Sequence, residues 1–345
     1  MKVAIIGLPQ TGKTTLFKAL AGEIPSTKGN ENISEVKIFD QNILELSKAF
    51  NPKKTTFATI NLVDLPGIPS GPESIKRRNE VLSQIRQFDT LITVIDAFTK
   101  DNFETEIKVF ENDLILLDLD VVEKRLERLT KEKQTPEKAM EQKVLSKFEE
   151  ALNKEIPLRN IEMNDEEKLL VKSFGLFTLK PMLYVINISE DKIPQKEDIT
   201  NRARTTFNFK NTQFSAIPVA LEYEISKLSE PEKIEFLQTY NLEKEAINEV
   251  IELTMKLMNL SVFYTVGEDE VRAWLFEKGS PAKKVAGVIH SDIERGFIAA
   301  EVISYDEFKN LNFSFKEAKA KGLLRIEGAN YTVKDKEIVH FRFNI

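Results

Sequence analysis

Cysteine is absent from the sequence, and histidine occurs only twice, as His290 and His340. The lack of cysteine excludes disulfides, thiolate nucleophiles and cysteine-ligated zinc, and two histidines are too few for a histidine-rich metal cluster. Any catalysis by this chain must therefore depend on lysine, threonine, aspartate and backbone amides.

Long apolar runs are also absent. No window approaches the roughly 18 apolar residues of a membrane span, and a composition of 41% hydrophobic and 30% charged residues is that of a globular protein. The net charge of −6 argues against general DNA binding. Met1 and Lys2 lead directly into the apolar run Val3 to Ile6, without the segments of a signal peptide, so we expect a cytoplasmic location.

Five apolar runs bounded by polar loops predict buried strands. They are Val3 to Ile6, Ile60 to Val63, Leu91 to Ile95, Met182 to Ile186, and Phe214 to Val219. Helical patterns lie between them. Strands that alternate with helices predict an α/β fold with a mostly parallel sheet, which binds ligands at the carboxyl ends of its strands.

A charged region over residues 113–180 carries apolar residues at helical spacing. One stripe has the three-four-three spacing of a coiled-coil seam, and it consists of Leu119, Val122, Leu126 and Leu129. A second stripe, on a returning helix, consists of Leu145, Phe148 and Leu152. We predict an inserted helical hairpin, and two ordinary surface helices of the sheet domain are the alternative.

The C-terminal region over residues 261–345 contains short β-like runs, which are Ser261 to Val266, Val271 to Phe276, and Phe297 to Ile303. They predict a small α+β domain that follows an amphipathic helix near residues 247–258. The sheet domain then comprises residues 1–112 and 181–260, on either side of the hairpin at 113–180.

A phosphate-binding loop lies at Gly7 to Thr14, which satisfies G-x-x-x-x-G-K-[ST] between a predicted strand and a predicted helix. Backbone N–H groups and the helix dipole bind phosphates there. Lys13 is expected to reach the β- and γ-phosphates, and the Thr14 hydroxyl is expected to bind Mg²⁺. The candidate nucleotide contacts are Pro9, Gln10, Thr11, Gly12, Lys13, Thr14 and Thr15. A simple glycine turn is the alternative, but it leaves Lys13 and Thr14 unexplained.

A second element is the D-x-x-G sequence from Asp64 to Gly67, directly after a predicted strand. We expect Asp64 to hold Mg²⁺ through water and the Gly67 N–H to approach the γ-phosphate, although a Pro-Gly turn after a strand is the alternative. Ras-like GTPases place a water-orienting glutamine after this glycine. Here the residue is Ile68, whose aliphatic side chain cannot orient water, so we expect slow unaided turnover.

Base selection is expected after the strand Met182 to Ile186, where guanine readers carry N-K-x-D. This chain has Asn187, Ile188, Ser189 and Glu190, so the lysine and the aspartate are both missing. Asn187 can exchange two hydrogen bonds with the amine and N7 edge of adenine. These residues favour ATP over GTP, GTP remains the alternative, and Asn187 could instead cap the following loop.

These motifs resemble those of the YchF or Obg-like ATPases, a family of translation-factor-related P-loop proteins. The family's phosphate loop is usually G-L-P-N-V-G-K-S-T, and Gly7 to Thr15 read G-L-P-Q-T-G-K-T-T. The resemblance covers almost the whole chain. Its most specific stretches are C-terminal: Glu270 to Trp274, Ala286 to Asp292, Gly296 to Ile298, and Phe341 to Ile345.

The resemblance implies a Ras-like nucleotide domain, a coiled-coil insertion and a C-terminal TGS domain of ubiquitin-like β-grasp shape. Family members commonly prefer ATP, which they read through N-x-x-E, and they carry a hydrophobic residue in place of the catalytic glutamine. They associate with ribosomes, which makes the ribosome or ribosomal RNA the expected partner of the helical and TGS domains. The family also implies a backbone contact to the base from the loop Pro218, Val219 and Ala220.

Several positions depart from the family pattern. Gln10 replaces an asparagine that helps to hold potassium in related enzymes, which argues against potassium stimulation. Asp96 begins an Asp-Ala-Phe sequence where the family commonly has Arg-Cys-Phe. The first switch is poorly preserved, and Thr27 is its candidate magnesium-sensing residue. The pattern is that of a divergent member.

Three functions fit the sequence. The first is a switch that hydrolyses ATP slowly and changes how its helical and TGS domains engage a ribosome-linked partner. The second is a nucleotide-regulated binding module with vestigial hydrolysis, and the third is a true GTPase.

Overall fold

The computed structural model describes residues 2–22, 26–28, 31–68, 75–239 and 245–344. The chain forms two compact units, each built from two segments. The first unit comprises Met1–Ser34 and Asn61–Leu257, and the second comprises Glu35–Ile60 and Met258–Ile345. No helix in the described part of the chain is long and apolar enough to cross a membrane.

The strands, in chain order, are β1 (Lys2–Ile6), β2 (Ser26–Lys28), β3 (Glu31–Lys37), β4 (Lys54–Thr56), β5 (Thr59–Asp64), β6 (Thr90–Ala97), β7 (Met182–Ile188), β8 (Thr212–Ile217), β9 (Leu260–Thr265), β10 (Glu270–Glu277), β11 (Phe297–Ser304), β12 (Arg325–Glu327) and β13 (Glu337–Phe343).

The helices, in chain order, are α1 (Lys13–Ala21), α2 (Gln41–Phe50), α3 (Ile75–Ile85), α4 (Phe103–Lys131), α5 (Pro136–Asn153), α6 (Asp165–Val171), α7 (Lys196–Thr206), α8 (Val219–Ser226), α9 (Glu230–Thr239), α10 (Ala246–Leu257), α11 (Ala282–Ile289), α12 (Ser291–Arg295), α13 (Tyr305–Asn310) and α14 (Phe315–Ala320).

A seven-stranded sheet has the order β2-β3-β5-β1-β6-β7-β8. Strands β5, β1, β6, β7 and β8 pair in parallel, whereas β2 and β3 are antiparallel. The five apolar runs predicted as strands are these five parallel strands, which confirms the predicted α/β fold. Because they are parallel, their carboxyl ends lie at one edge, where Asp96 of β6 is in register with Asn187 of β7.

Helix α4 belongs to two hydrophobic clusters of the first unit. Its first part contributes Phe103, Ile107, Phe110 and Leu114 to the core beneath the sheet. Its later part packs with α5 in a second cluster, which contains both predicted stripes: Leu119, Val122, Leu126, Leu129, Leu145, Phe148 and Leu152. The predicted hairpin is therefore present, but it grows out of a continuous helix that begins at Phe103, so the predicted start at residue 113 lies inside α4.

A second sheet has six strands in the order β12-β11-β13-β9-β10-β4. Strands β9 and β10 form an antiparallel hairpin, β13 pairs in parallel with β9, and α11 packs on the face that contains Phe263, Val302 and Val339. This is the predicted β-grasp arrangement.

The structure assigns residues 35–60 to the second unit, whereas the sequence interpretation placed them in the nucleotide domain. They group with the C-terminal segment because β4 pairs in parallel with β10, at Thr55 opposite Val271, and because the Tyr264 hydroxyl donates to Asp40 Oδ2 at 2.5 Å. Short strands such as β4 gain their stability from a partner strand distant in sequence, which periodicity cannot reveal. The other domain boundaries remain a prediction.

Candidate functional site

The phosphate loop connects β1 to α1 through backbone conformations that few side chains adopt. Gly7 has a φ of 142° and Gly12 a φ of 97°, while Gln10 has a φ of 65°. A Cβ atom at Gly7 would lie 2.7 Å from the Val94 carbonyl oxygen, and one at Gly12 would lie 2.6 Å from Asn187 Nδ2. Both glycines of the motif are therefore required by close packing as well as by backbone conformation.

Lys13 begins α1 and lies inside the loop, with only 7% of its surface exposed. Its Nζ donates a hydrogen bond of 2.5 Å to the Leu8 carbonyl oxygen, and the Thr11 hydroxyl donates to the same oxygen at 3.2 Å. Burial lowers the pKa of Lys13, and the nearby Asp64 carboxylate opposes that shift. Among the described residues the ammonium group thus donates to one carbonyl, which an anionic oxygen can replace.

Asp64 ends β5 next to the first turn of α1. Its Oδ2 accepts from the Thr14 hydroxyl at 2.9 Å and from Asn32 Nδ2 at 3.4 Å. Its Oδ1 is buried, and among the described residues it has no hydrogen-bond partner. A hydroxyl oxygen beside a carboxylate with a free, buried oxygen suits Mg²⁺, which usually takes one or two protein oxygens and completes its shell with water and phosphate oxygens.

Gly67 lies directly against the phosphate loop. A Cβ atom there would be 3.0 Å from Pro9 N and 3.2 Å from Lys13 Nζ. The next residue, Ile68, donates its backbone N–H to the Gly7 carbonyl oxygen at 3.1 Å, while its side chain is buried in the core beneath the sheet. The side chain at the usual glutamine position therefore points into the core.

Asn187, at the end of β7, joins two loops. Its Nδ2 donates to the Thr11 carbonyl oxygen at 3.1 Å, and its Oδ1 accepts from the Val219 N–H at 3.3 Å. Each group of the amide retains capacity for one further bond. The side chain therefore fixes the phosphate loop relative to the start of α8, a role that sequence reasoning did not assign to it.

The other candidate residues differ in their exposure. Pro9, Gln10, Ala220 and Glu190 are exposed, and Thr15 is half-buried. Pro218 is buried, and so is Ile188, whose side chain belongs to the core beneath the sheet. The proposed roles of these residues in nucleotide binding remain predictions.

Thr27 lies in β2, where its backbone is opposite Asn32 of β3, and its side chain lies outside the described residues. Asn32 of the same hairpin contacts Asp64. No motif indicated Asn32, because a single asparagine in a poorly preserved segment has no sequence signal.

Asp96 occupies a position where the resemblance leads one to expect the start of an Arg-Cys-Phe sequence, and its side chain accepts hydrogen bonds from the turn that follows. Its Oδ1 accepts the N–H groups of Phe98 and Thr99, both at 3.0 Å, and its Oδ2 accepts from the Thr99 hydroxyl. Burial raises the pKa of Asp96, but these hydrogen bonds outweigh burial and hold the pKa below its ordinary value. The carboxylate therefore stabilises the turn after β6.

Comparisons with known proteins agree with this architecture. Residues 2–147 match the 50S ribosome-binding GTPase family, and residues 260–344 match YchF-GTPase_C, described as a protein of unknown function. The "Ribosome-binding ATPase YchF" of Bacillus subtilis (strain 168) is 35% identical over 365 residues, with 100% of both chains covered. The protein of that name from Haemophilus ducreyi is 33% identical, with 100% of this chain and 99% of the relative covered.

Two solved structures are similar over nearly the whole chain. The structure of the Schizosaccharomyces pombe YchF GTPase has a TM-score of 0.87 at 26% identity, covering 99% of this chain and 97% of that one. A GTP binding protein from Pyrococcus horikoshii OT3 has a TM-score of 0.61 at 18% identity, with both chains fully covered at 100%, and shares the fold.

Proposed function

Because the chain belongs to the YchF family of P-loop proteins, we propose that it binds ATP with Mg²⁺, hydrolyses it slowly, and acts as a switch on the ribosome. The observation that carries the proposal is the cluster of Lys13, Thr14 and Asp64 beside the phosphate loop. It combines a buried ammonium group with a hydroxyl–carboxylate pair, the chemistry that a nucleoside triphosphate and its metal require.

Each residue of the cluster has a role in this proposal. The Lys13 ammonium leaves the Leu8 carbonyl and contacts the terminal phosphates, where it offsets their charge. The Thr14 hydroxyl would bind Mg²⁺ and Asp64 would hold it through water, and the ion would supply electrostatic stabilisation of the phosphates when it is bound. The N–H groups at the start of α1 and the Gly67 N–H donate to phosphate oxygens.

Slow turnover follows from Ile68. Its side chain lies in the core beneath the sheet and has no polar atom, so it cannot position an attacking water. We expect the purified chain to turn over more slowly than about 1 s⁻¹, since unaided switches of this class run at about 10⁻⁴ to 10⁻² s⁻¹. A faster rate would contradict the proposed switch.

The ribosome is the proposed partner because the B. subtilis and H. ducreyi relatives are named ribosome-binding ATPases. A protein with this partner is expected in the cytoplasm, so we propose a cytoplasmic location. The preference for ATP is supported by the same names and by the sequence Asn187 to Glu190, which lacks the lysine and aspartate of guanine readers.

Calorimetry on the nucleotide-free protein tests the proposal. With Mg²⁺ present, we expect ATP to bind at least about tenfold more tightly than GTP, a difference of about 1.4 kcal/mol. Lys13→Ala should abolish detectable binding of both, and Lys18→Ala, an exposed lysine of the same helix, should bind as wild type does. Tighter GTP binding would favour the GTPase alternative, and no binding of either would refute the proposal.

Ribosome association is tested separately by co-sedimentation with purified ribosomes in the presence of ATP or ADP. We expect the pelleted fraction to differ between the two nucleotides and the difference to vanish in Lys13→Ala. Equal pelleting of the wild-type protein with ATP and with ADP would contradict the switch and favour a nucleotide-independent binding module.

A further inference from the structure

The second unit contains a cavity of about 460 Å³ on one face of its sheet. Side chains alternate between the faces of a strand, and on β13 Val339 and Phe341 belong to the core beside α11. The neighbouring residues Ile338, His340 and Arg342 line the cavity together with Glu301 of β11, and Val339 also borders it. The cavity therefore lies on a part of the sheet that the helix α11 does not cover.

Its floor is aliphatic. It is formed by Val266, Leu324, Ile326 and Ile338. Ile326 is 64% exposed, so its side chain is available to a partner. Phe315 contributes a phenyl ring, but that ring already packs against Phe308 and Phe50, with centroids 4.6 and 5.9 Å away. The floor is thus mainly aliphatic, and the aromatic groups of the lining are the Phe315 ring, which is 36% exposed, and the His340 imidazole.

Its rim is cationic. Lys316 and Lys319 lie on α14, three positions apart, and both are exposed. In the part of the chain that the structure describes, neither has an ion-pair partner. Arg342 is paired with Glu301, so those two charges offset each other. The two lysines therefore leave the cavity with an uncompensated positive charge, within a chain whose net charge is −6.

We propose that this cavity docks an acidic segment of a partner protein, with one apolar side chain on the aliphatic floor and carboxylates at Lys316 and Lys319. Four aliphatic side chains suit a protein side chain as an anchor, whereas single-stranded nucleic acid stacks its bases on several aromatic faces, and the phenyl ring of the cavity, that of Phe315, is already packed on two other rings. Strand β12, which carries Ile326, is also an edge strand of the sheet, and an extended segment can pair with such an edge. The proposal goes beyond the nucleotide site and does not depend on it.

Fluorescence anisotropy with the full chain tests the proposal. The probe is a labelled short peptide in which Asp and Glu alternate with Leu and Phe. We expect binding that weakens as salt is raised, because exposed charges are screened. Lys316→Glu with Lys319→Glu should weaken it by about tenfold or more, since like charges then face each other. Ile326→Ser should weaken it by a similar factor through loss of the anchor contact.

Matched controls separate this site from nonspecific attraction. The pair Lys278→Glu with Lys283→Glu makes the same charge change at two exposed lysines outside the cavity lining, and it should leave binding unchanged. A peptide with Ser in place of Leu and Phe should bind about tenfold more weakly. Equal loss in the control pair, tighter binding of an oligouridine RNA than of the peptide, or no peptide binding would each overturn the proposal. All substituted side chains are exposed, so each variant is expected to fold.

Discussion

Residues of the nucleotide site are held mainly by backbone groups. Lys13 donates to the Leu8 carbonyl, and Asn187 bonds to the Thr11 carbonyl and the Val219 N–H. The hydrogen bond from the Thr14 hydroxyl to Asp64, in contrast, joins two side chains. These contacts with backbone groups hold the loops in position. The charged atoms of the site can then exchange their present contacts for a ligand without a rearrangement of the loops.

Asn187→Ala is expected to lower both stability and nucleotide affinity. The change leaves the Thr11 carbonyl and the Val219 N–H without their partner, and an unsatisfied buried group costs about 1–3 kcal/mol. Thermal unfolding and calorimetric titration with Mg·ATP measure the two effects. Asn201→Ala, an exposed asparagine on α7, serves as control and should change neither. Wild-type affinity in Asn187→Ala would show that the amide does not organise the site.

Gly67→Ala is expected to weaken Mg·ATP binding by about tenfold or more, because overpacking costs about 1–3 kcal/mol. The added methyl group would lie 3.0 Å from Pro9 N and 3.2 Å from Lys13 Nζ, so the loop must shift. Gly328→Ala is the matched control, since a Cβ atom there meets nothing within 4 Å. Titration calorimetry compares the two variants, and equal affinities would contradict the close approach of Gly67 to the loop.

At the scale of elements, α4 explains why the helical hairpin is firmly attached to the sheet domain. Buried polar groups join it to its surroundings: Glu111 accepts from Arg159 and from Tyr184 of β7, and Asp118 accepts the N–H groups of Phe177 and Thr178 at 2.9 and 2.7 Å. The sequence predicted the apolar seam of the hairpin, but these polar contacts involve residues far apart in the chain.

Asp118 makes the stability of this attachment depend on pH. Burial raises its pKa from 3.8 to about 6, against the opposing effect of its hydrogen bonds from Thr178 and Phe177. A carboxyl whose folded pKa is raised binds protons more tightly when folded. Its contribution is therefore fully present below the unfolded pKa of 3.8 and is lost as pH rises through about 6.

The measurement is the free energy of unfolding of wild type and Asp118→Asn across this pH window. The asparagine cannot titrate, so the advantage of wild type should shrink by about 3 kcal/mol between the two pKa values. An advantage that is constant with pH would contradict the raised pKa.

At the scale of the whole molecule, the second unit is assembled from two distant segments. Residues 35–60 contribute β4, which pairs with β10, and Phe50, whose ring packs against Phe308 and Phe315. The YchF-GTPase_C family model matches residues 260–344, so it covers only part of this unit.

A fragment of residues 258–345 alone is expected to be less stable than one in which residues 35–60 are joined to it by a flexible linker. The first lacks an edge strand and the ring of Phe50, which is half-buried, so its loss is expected to cost less than the roughly 3–5 kcal/mol of a fully buried phenylalanine. Denaturant unfolding of the two fragments gives the difference. The joined fragment with Phe50→Ala should lie between them, and equal stability of the two parent fragments would show that residues 35–60 are dispensable.

The sequence by itself determined the parallel strands, the phosphate loop, the hairpin seam and the β-like C-terminal runs, because each follows from local periodicity or from one contiguous motif. Only the tertiary structure decided that residues 35–60 join the second unit, that Asn187 binds two loops, and that Asn32 reaches Asp64. Those contacts join residues distant in the chain through strand pairing and single hydrogen bonds. Such contacts leave no periodic or motif signal, so they exist only once the chain has folded.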